Sequence, residues 1–223
     1  MLKDRLDFLR GPGGVRAAAY FGLKLALRVE TFRVVCTATD RAKGHARPPD
    51  WTYLSLREPQ ALANLPNHIL VQLTSQCGTD PEQLLARDGS LHLMLKGDSL
   101  MAQLSVDHGP TCHMDSPPLQ LGFLPTDAFL GYLYTWPVAR RQGAAVRLIN
   151  ATVSDLGNLG TNRVFAHVRA TNVPSLAAFG QAGWKPCATL LCTPGGRLIM
   201  ALGAVGAGLT LRPRVPLANS RAF

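Results

Sequence analysis

The chain reads as an α/β fold built on a mixed, mostly antiparallel sheet with a central parallel strand pair and flanking helices. Three observations carry this reading. Apolar runs at 91–96 and 99–106 meet at Gly97-Asp98, the pattern of a hairpin. Strand, helix, strand and helix then follow in order over 129–182, and such a crossover joins parallel neighbours. Two further apolar runs, 188–193 and 197–202, flank Gly195-Gly196 and suggest an antiparallel closing hairpin.

Taken in order, residues 2–9 carry Leu2, Leu6 and Leu9 at helical spacing before Gly11-Pro12-Gly13-Gly14 breaks the segment. Residues 15–29 form a second helix, with Arg16, Lys24 and Arg28 interleaved among apolar residues. A strand over 30–39 precedes a loop over 40–50, which holds Lys43, Arg47, Pro48 and Pro49. Residues 51–57 are strand-like, and Pro81 to Arg87 make a short helix begun near Asp80. After the hairpin comes a Pro-rich loop from Asp107 to about Pro125, then a strand over 129–135. A helix over 140–157 turns Val146, Leu148, Ile149, Val153 and Leu156 to one side. A strand over 163–168 and a helix from Asn172 to Ala182 complete the run. The expected organisation is an N-terminal helical extension (1–29), a main domain (30–212, motif core 128–186) and a C-terminal tail (213–223).

Composition bounds the function. With 223 residues, 47% hydrophobic and 17% charged, the chain can bury a sizeable core. Its net charge of +9 favours an anionic partner. Neither a zinc-finger pattern nor an aromatic RNA-binding pattern is present, so nucleic acid is not expected. Cys36, Cys77, Cys112, Cys187 and Cys192 are odd in number and lack a CxxC pair, which points to free thiols in a reducing compartment. The first residues carry acidic side chains and no continuous apolar stretch, unlike a signal peptide. The longest low-charge runs fall short of the roughly 20 residues a membrane span needs. The expected location is the cytoplasm, with peripheral contact to the inner membrane face left open through the basic amphipathic segment 15–29. Homodimerisation is also left open.

The most specific signal is residues 133–149, LYTWPVARRQGAAVRLI. A short strand runs through Trp136-Pro137 into Arg140-Arg141-Gln142-Gly143-Ala144-Ala145 and then into a helix. Small residues at a helix N-terminus leave backbone N–H groups pointing outward, where they and the helix dipole hold a phosphate. Arg140 and Arg141 add charge-assisted hydrogen bonds.

This stretch resembles the acyl-CoA-binding motif of the GNAT acyltransferase superfamily. Leu133, Thr135, Pro137, Arg140, Gly143 and Ala145 occupy the places of its fourth-strand block, and Asn172, Ser175, Gly183 and Trp184 match a second block at the right spacing. The resemblance covers roughly residues 90 to 200. It implies a GNAT-like fold and acetyl-CoA as the acyl donor. The strand ending at Thr135 would splay from the one ending near Ala170 to admit the pantetheine arm. Leu133, Tyr134 and Thr135 would pair with that arm, Arg140, Arg141, Gln142, Gly143, Ala144 and Ala145 would hold the pyrophosphate, and Asn172, Ser175 and Phe179 would contact the arm. Asn172 also suits a helix N-cap.

Two departures from the family pattern stand out. Phe179 takes the place where many members carry a tyrosine that protonates the leaving thiolate, and a phenyl ring donates no proton. Residues 128–135 hold no carboxylate to act as a general base. Asp127, the nearest, lies on the order of 20 Å from Leu133 along an extended strand. Tyr132, Tyr134 and His167 are the nearer catalytic candidates, the histidine for its intrinsic pKa. His108, Cys112, His113 and Asp115 cluster in the Pro-rich loop, but their spacing fits no zinc pattern, so no metal is expected. A loop over the acceptor site suits them better. The resemblance thus implies transfer of an acetyl group to a primary amine of a small-molecule or sugar-type acceptor. The rival reading is a noncatalytic acyl-CoA-binding or membrane-associated module.

Overall fold

Residues 29–41, 49–114, 118–193 and 197–213 are described by the structure, a computed structural model. The extension expected over 1–29 lies outside these residues except for its last position, and so does the tail after Pro213. In chain order the elements are β1 (Glu30–Ala38), β2 (Trp51–Leu56), α1 (Asn67–Gln76), α2 (Pro81–Ala86), β3 (Gly89–Lys96) and β4 (Ser99–Asp107). Then come β5 (Thr111–Met114), β6 (Leu119–Gly122), β7 (Asp127–Thr135), α3 (Ala144–Asn158) and β8 (Arg163–Arg169). The chain continues through α4 (Val173–Gln181), β9 (Lys185–Cys192), β10 (Leu198–Leu202) and β11 (Thr210–Pro213).

Eight strands share one sheet in the order β10-β9-β1-β8-β7-β4-β3-β2. Every adjacent pair is antiparallel except β7 and β8 at the centre, as the sequence leads one to expect. The strand at the start of the described chain, β1, lies between β8 and the closing hairpin.

Three layers of side chains cover this sheet. On one face α3 and α4 pack Leu148, Ile149, Val153 and Phe179 against Leu104, Leu130 and Ala166. On the other face, α1 and α2 cover β3 through Ile69, Leu73, Leu84 and Leu91. Beside them a second sheet, β11-β6-β5, sets Met114, Leu119 and Leu121 over Phe32, Phe129 and Phe165.

The second sheet corrects the sequence reading, which has residues 107–125 as a loop. Its strands are short, and β6 pairs on one side with β11 from the far end of the chain. No local periodicity reports such a contact. The α1 helix is also absent from the sequence reading. Its segment, NHILVQLTSQ, mixes β-branched and polar residues and has no side-chain cap; burial of Ile69 and Leu73 stabilises it. The helix expected from residue 140 begins at Ala144, because Arg141 (φ 63°) and Gly143 (φ 77°) are left-handed and interrupt helical backbone.

Candidate active site

The parallel ladder between β7 and β8 runs only from Asp127↔Arg163 to Leu130↔Ala166. Beyond it the strands separate. The cause lies in β7, where the β4 partners shift register between Gln103 and Ser105 so that Tyr132 and Leu133 together oppose Leu104. This bulge carries Tyr132 at φ 47° and bends the strand. At the other end Asp127, fully buried, pairs with Arg163 at 2.7 Å and keeps the strands together.

A cavity of about 300 Å³ occupies the opening. Its lining comes from both faces of the sheet. On the helix face stand Ala166, Val168, Asn172, Ser175 and Phe179; on the second-sheet face stand Asp107, His113, Met114, Phe129, His167 and Arg169. Gly131, Tyr132 and Leu133 form the edge between them. The opening therefore crosses the sheet.

His167 is half-buried and stacks on Phe129, with ring centroids 5.7 Å apart. Tyr132 is 40% exposed and lays its ring on Gly78, where a Cβ would collide with it. Phe179 is buried and meets Trp184 edge-on at 4.8 Å. Asn172 caps α4, its Oδ1 accepting from Ser175 N–H at 3.2 Å. Tyr134 is not among the lining residues and packs edge-on against Trp136 at 5.0 Å.

Past the bulge, the chain turns through Pro137–Ala139 into the N-terminus of α3. No side chain caps this helix, and its first turn holds no acidic residue. Ala144 is buried while Arg140, Arg141 and Gln142 are exposed. Arg140 Nε donates to Thr135 O at 3.4 Å, and Gln142 Nε2 donates to Val138 O at 2.7 Å, which holds the turn against its strand. Arg147 is a residue that sequence reasoning missed. Its guanidinium donates to Gln142 O at 2.7 Å, lies over the Trp51 ring and crowds Gly143. A cation in the first turn opposes the helix dipole, and that local misfit was the available signal. Arginines on either side of an uncapped helix N-terminus are an arrangement whose charge and N–H groups favour an anion.

A partly buried polar chain anchors the far half of α3. Tyr53 O–H donates to Asp155 at 2.9 Å, and Arg57 donates to the same carboxylate at 2.7 Å. The tyrosine has one proton, so His92 Nδ1–H must donate to its oxygen, 2.6 Å away. Ser90 O–H then donates to His92 Nε2 at 2.8 Å and accepts from His108 Nε2–H at 2.7 Å. Burial holds His92 neutral, its pKa lowered to about 3 against the opposing pull of Asp155. Burial likewise lowers His108. The histidines read from the sequence as one loop cluster are thus separated: His108 belongs to this chain and His113 to the cavity wall, while Cys112 is buried in the core. Asp115 lies outside the described residues.

The model of the acetyltransferase (GNAT) family matches residues 72–184, which is more than half of the chain. The chain belongs to the GNAT acetyltransferase family. The matched span holds the arginine turn, the bulge and the divergent strands; β1, β2 and β9 to β11 lie outside it. Among solved structures, a GCN5-related N-acetyltransferase from Kribbella flavida is 11% identical, with a TM-score of 0.51, covering 71% of this chain and 55% of that one. A structure assigned to the GNAT family from Novosphingobium aromaticivorans is 16% identical, with a TM-score of 0.49, covering 74% of this chain and 63% of that one. This GNAT chain spans about three fifths of the length of such structures. No curated protein matches it. No helix among the described residues is long and apolar enough to cross a membrane.

Proposed function

We propose that this GNAT domain transfers an acetyl group from acetyl-CoA to the primary amine of a small-molecule or sugar-type acceptor. One observation carries the reading: an opening through the sheet, lined from both faces, reaches Leu133, and from there the chain runs through the turn of Arg140 and Arg141 into the uncapped N-terminus of α3. The cradle residues Arg140 to Ala145, with Arg147, would take the donor's pyrophosphate. The arm would follow Leu133 to Thr135 past Asn172, Ser175 and Phe179 to the bulge. The acceptor then approaches from the second-sheet face.

The amine nitrogen forms its bond to the thioester carbonyl carbon, and the C–S bond breaks with its electron pair leaving on sulfur. Backbone N–H groups released from strand pairing at the bulge stabilise the oxygen as charge builds on it. The nitrogen gives up its proton to the neutral imidazole of His167; Tyr132, the other proposed side chain that lines the opening, takes part by handing on a proton as it gives up its own. Phe179 supplies no proton to sulfur; a thiol pKa of about 8.5 lets the thiolate leave as such. We place the reaction in the cytoplasm, where the five free cysteines stay reduced. Membrane contact through 15–29 concerns residues outside those described, but for Val29.

The test is Gly143→Glu. It sets a carboxylate where the phosphates would sit, so acetyl-CoA affinity measured by calorimetry is expected to fall at least ~100-fold through loss of the cradle. Unchanged affinity would overturn the assignment. Tight acetyl-CoA binding with no CoA release across a panel of amines would favour the noncatalytic module instead, a reading that Phe179 at the usual tyrosine place keeps in view.

A further inference from the structure

We infer that the free edge of β5 binds an extended peptide backbone, so that the small-molecule acceptor is a short peptide whose N-terminal amine enters the opening. The chemistry at that amine rests on the acyltransferase reading, but the edge is defined by its own backbone.

The second sheet has the order β11-β6-β5, so β5 pairs on one side only. Which of its backbone groups stay open follows from the ladder. Phe123 N–H donates to Pro110 O at 2.8 Å, one step beyond the pair Thr111↔Gly122. Opposed residues of an antiparallel pair alternate between those that exchange hydrogen bonds and those that do not. Cys112 and Met114 therefore bond to β6, while Thr111 and His113 turn their N–H and C=O outward. On the other side of β6, β11 agrees with this phase: Pro213, which has no N–H, faces Leu119, and Leu119 bonds toward Met114.

The open edge meets the cavity. His113 is exposed and Met114 buried, so they lie on opposite faces of β5, yet both line the opening with Gly131 and Tyr132. None of the residues of β6 lines it. A cavity that touches both faces of β5 but not its neighbour reaches the strand from its free side. Thr111, at the other end of β5, is not in the lining. A peptide that starts in the opening and runs antiparallel to β5 thus passes His113 and then Thr111, roughly 7 Å further along.

The surroundings suit this partner. No lysine, proline or bulge of the kind that guards sheet edges lies within β5. Its outward groups repeat at strand spacing, which an extended peptide matches donor to acceptor, and such pairing gives affinity whatever the side chains. The cavity of about 300 Å³ receives the first residue.

The experiment titrates the whole protein with tetra-alanine amide, alaninamide and glucosamine, and separately with acetyl-CoA. Tetra-alanine amide is expected to bind at least ~10-fold tighter than either of the others, since only it can form several backbone hydrogen bonds. Alternate N–H groups of a strand face the same neighbour, so methylating the peptide nitrogen of its second or of its third residue should weaken binding unequally, by about fivefold or more. Thr111→Pro removes an outward N–H and no bond to β6; it should weaken tetra-alanine amide at least ~3-fold and leave acetyl-CoA affinity unchanged. Equal binding of tetra-alanine amide and alaninamide to the unaltered protein overturns the inference without recourse to any variant, and so does tighter binding of glucosamine. Equal effects of the two methylations overturn the strand pairing, and full retention of peptide affinity by Thr111→Pro overturns the assignment to β5. A dimer that Thr111→Pro dissociates gives the edge to a second copy of the chain and overturns the peptide as its occupant. Failure of acetyl-CoA to bind removes the acyltransferase reading alone, because the peptide titrations do not depend on it.

Discussion

Gly143, Tyr132 and Phe179 show how single residues decide this site. Gly143 at φ 77° starts α3 without a side-chain cap and leaves room for the Arg147 guanidinium; glycine adopts that backbone without steric cost. Tyr132 at φ 47° pays a backbone strain to turn the bulge, and the packing of its ring on Gly78 offsets it. Phe179 fills the helix side of the opening against Trp184. Phe179→Ala is expected to lower stability by about 3–5 kcal/mol in urea denaturation, from lost burial and the cavity left behind. Phe179→Tyr is expected to change kcat by less than about threefold, because a thiolate with a pKa of about 8.5 leaves without a proton donor. A larger rise in steady-state kcat would show that protonation limits turnover.

At the scale of elements, two polar links set the positions of β7, β8 and α3. The Asp127–Arg163 pair clamps the joined end of the strands, so that the bulge alone opens the other. Asp127→Ala leaves the partly exposed guanidinium without its buried partner and is expected to cost about 1–3 kcal/mol in denaturation. The chain from Asp155 through Tyr53, His92 and Ser90 to His108 ties α3 to β2, β3 and the residue after Asp107. Its pH dependence has a definite sign. The folded pKa of His92 is about 3 and its ordinary value 6.5, so between them the unfolded chain binds more protons. Stability is therefore complete above about pH 6.5 and falls as pH drops toward 3. Facing His92 are Asp155, which opposes the shift, and Arg57 and His108, which add to burial. His92→Phe is expected to weaken the acid sensitivity seen in thermal melts between pH 6.5 and 4; an unaltered pH profile would exclude His92 as its source.

At the scale of the whole molecule, the net charge of +9 bears on the proposed donor site, where Arg140 and Arg141 precede and Arg147 follows the positive N-terminus of α3. Acetyl-CoA association is expected to slow by roughly tenfold between 50 mM and 500 mM salt, since screening shortens the reach of that field. Stopped-flow rates across this range test it, and a salt-independent rate would place the charge elsewhere. The second sheet matters at this scale too. It covers the face of the main sheet that α1 and α2 leave open, and it supplies His113 and Met114 to the opening.

The features proposed for the donor side are legible in the chain because they are local. A turn of small residues, the arginines around it and an asparagine cap each depend on neighbours within a few positions, and periodicity over 129–182 implies the parallel pair. The acceptor side was not legible. Asp107 and His113 come to line one opening with His167 only through strand pairing, β6 meets β11 across most of the chain's second half, and Cys187 meets β1 on the adjacent strand, where its thiol donates to Val34 O at 3.5 Å. Local spacing by itself pointed to the family, to the central parallel pair and to the two hairpins beside it. Tertiary structure alone decided where the sheet opens and which carboxylate faces the opening, because those depend on a one-residue bulge and on pairings between segments distant in the chain.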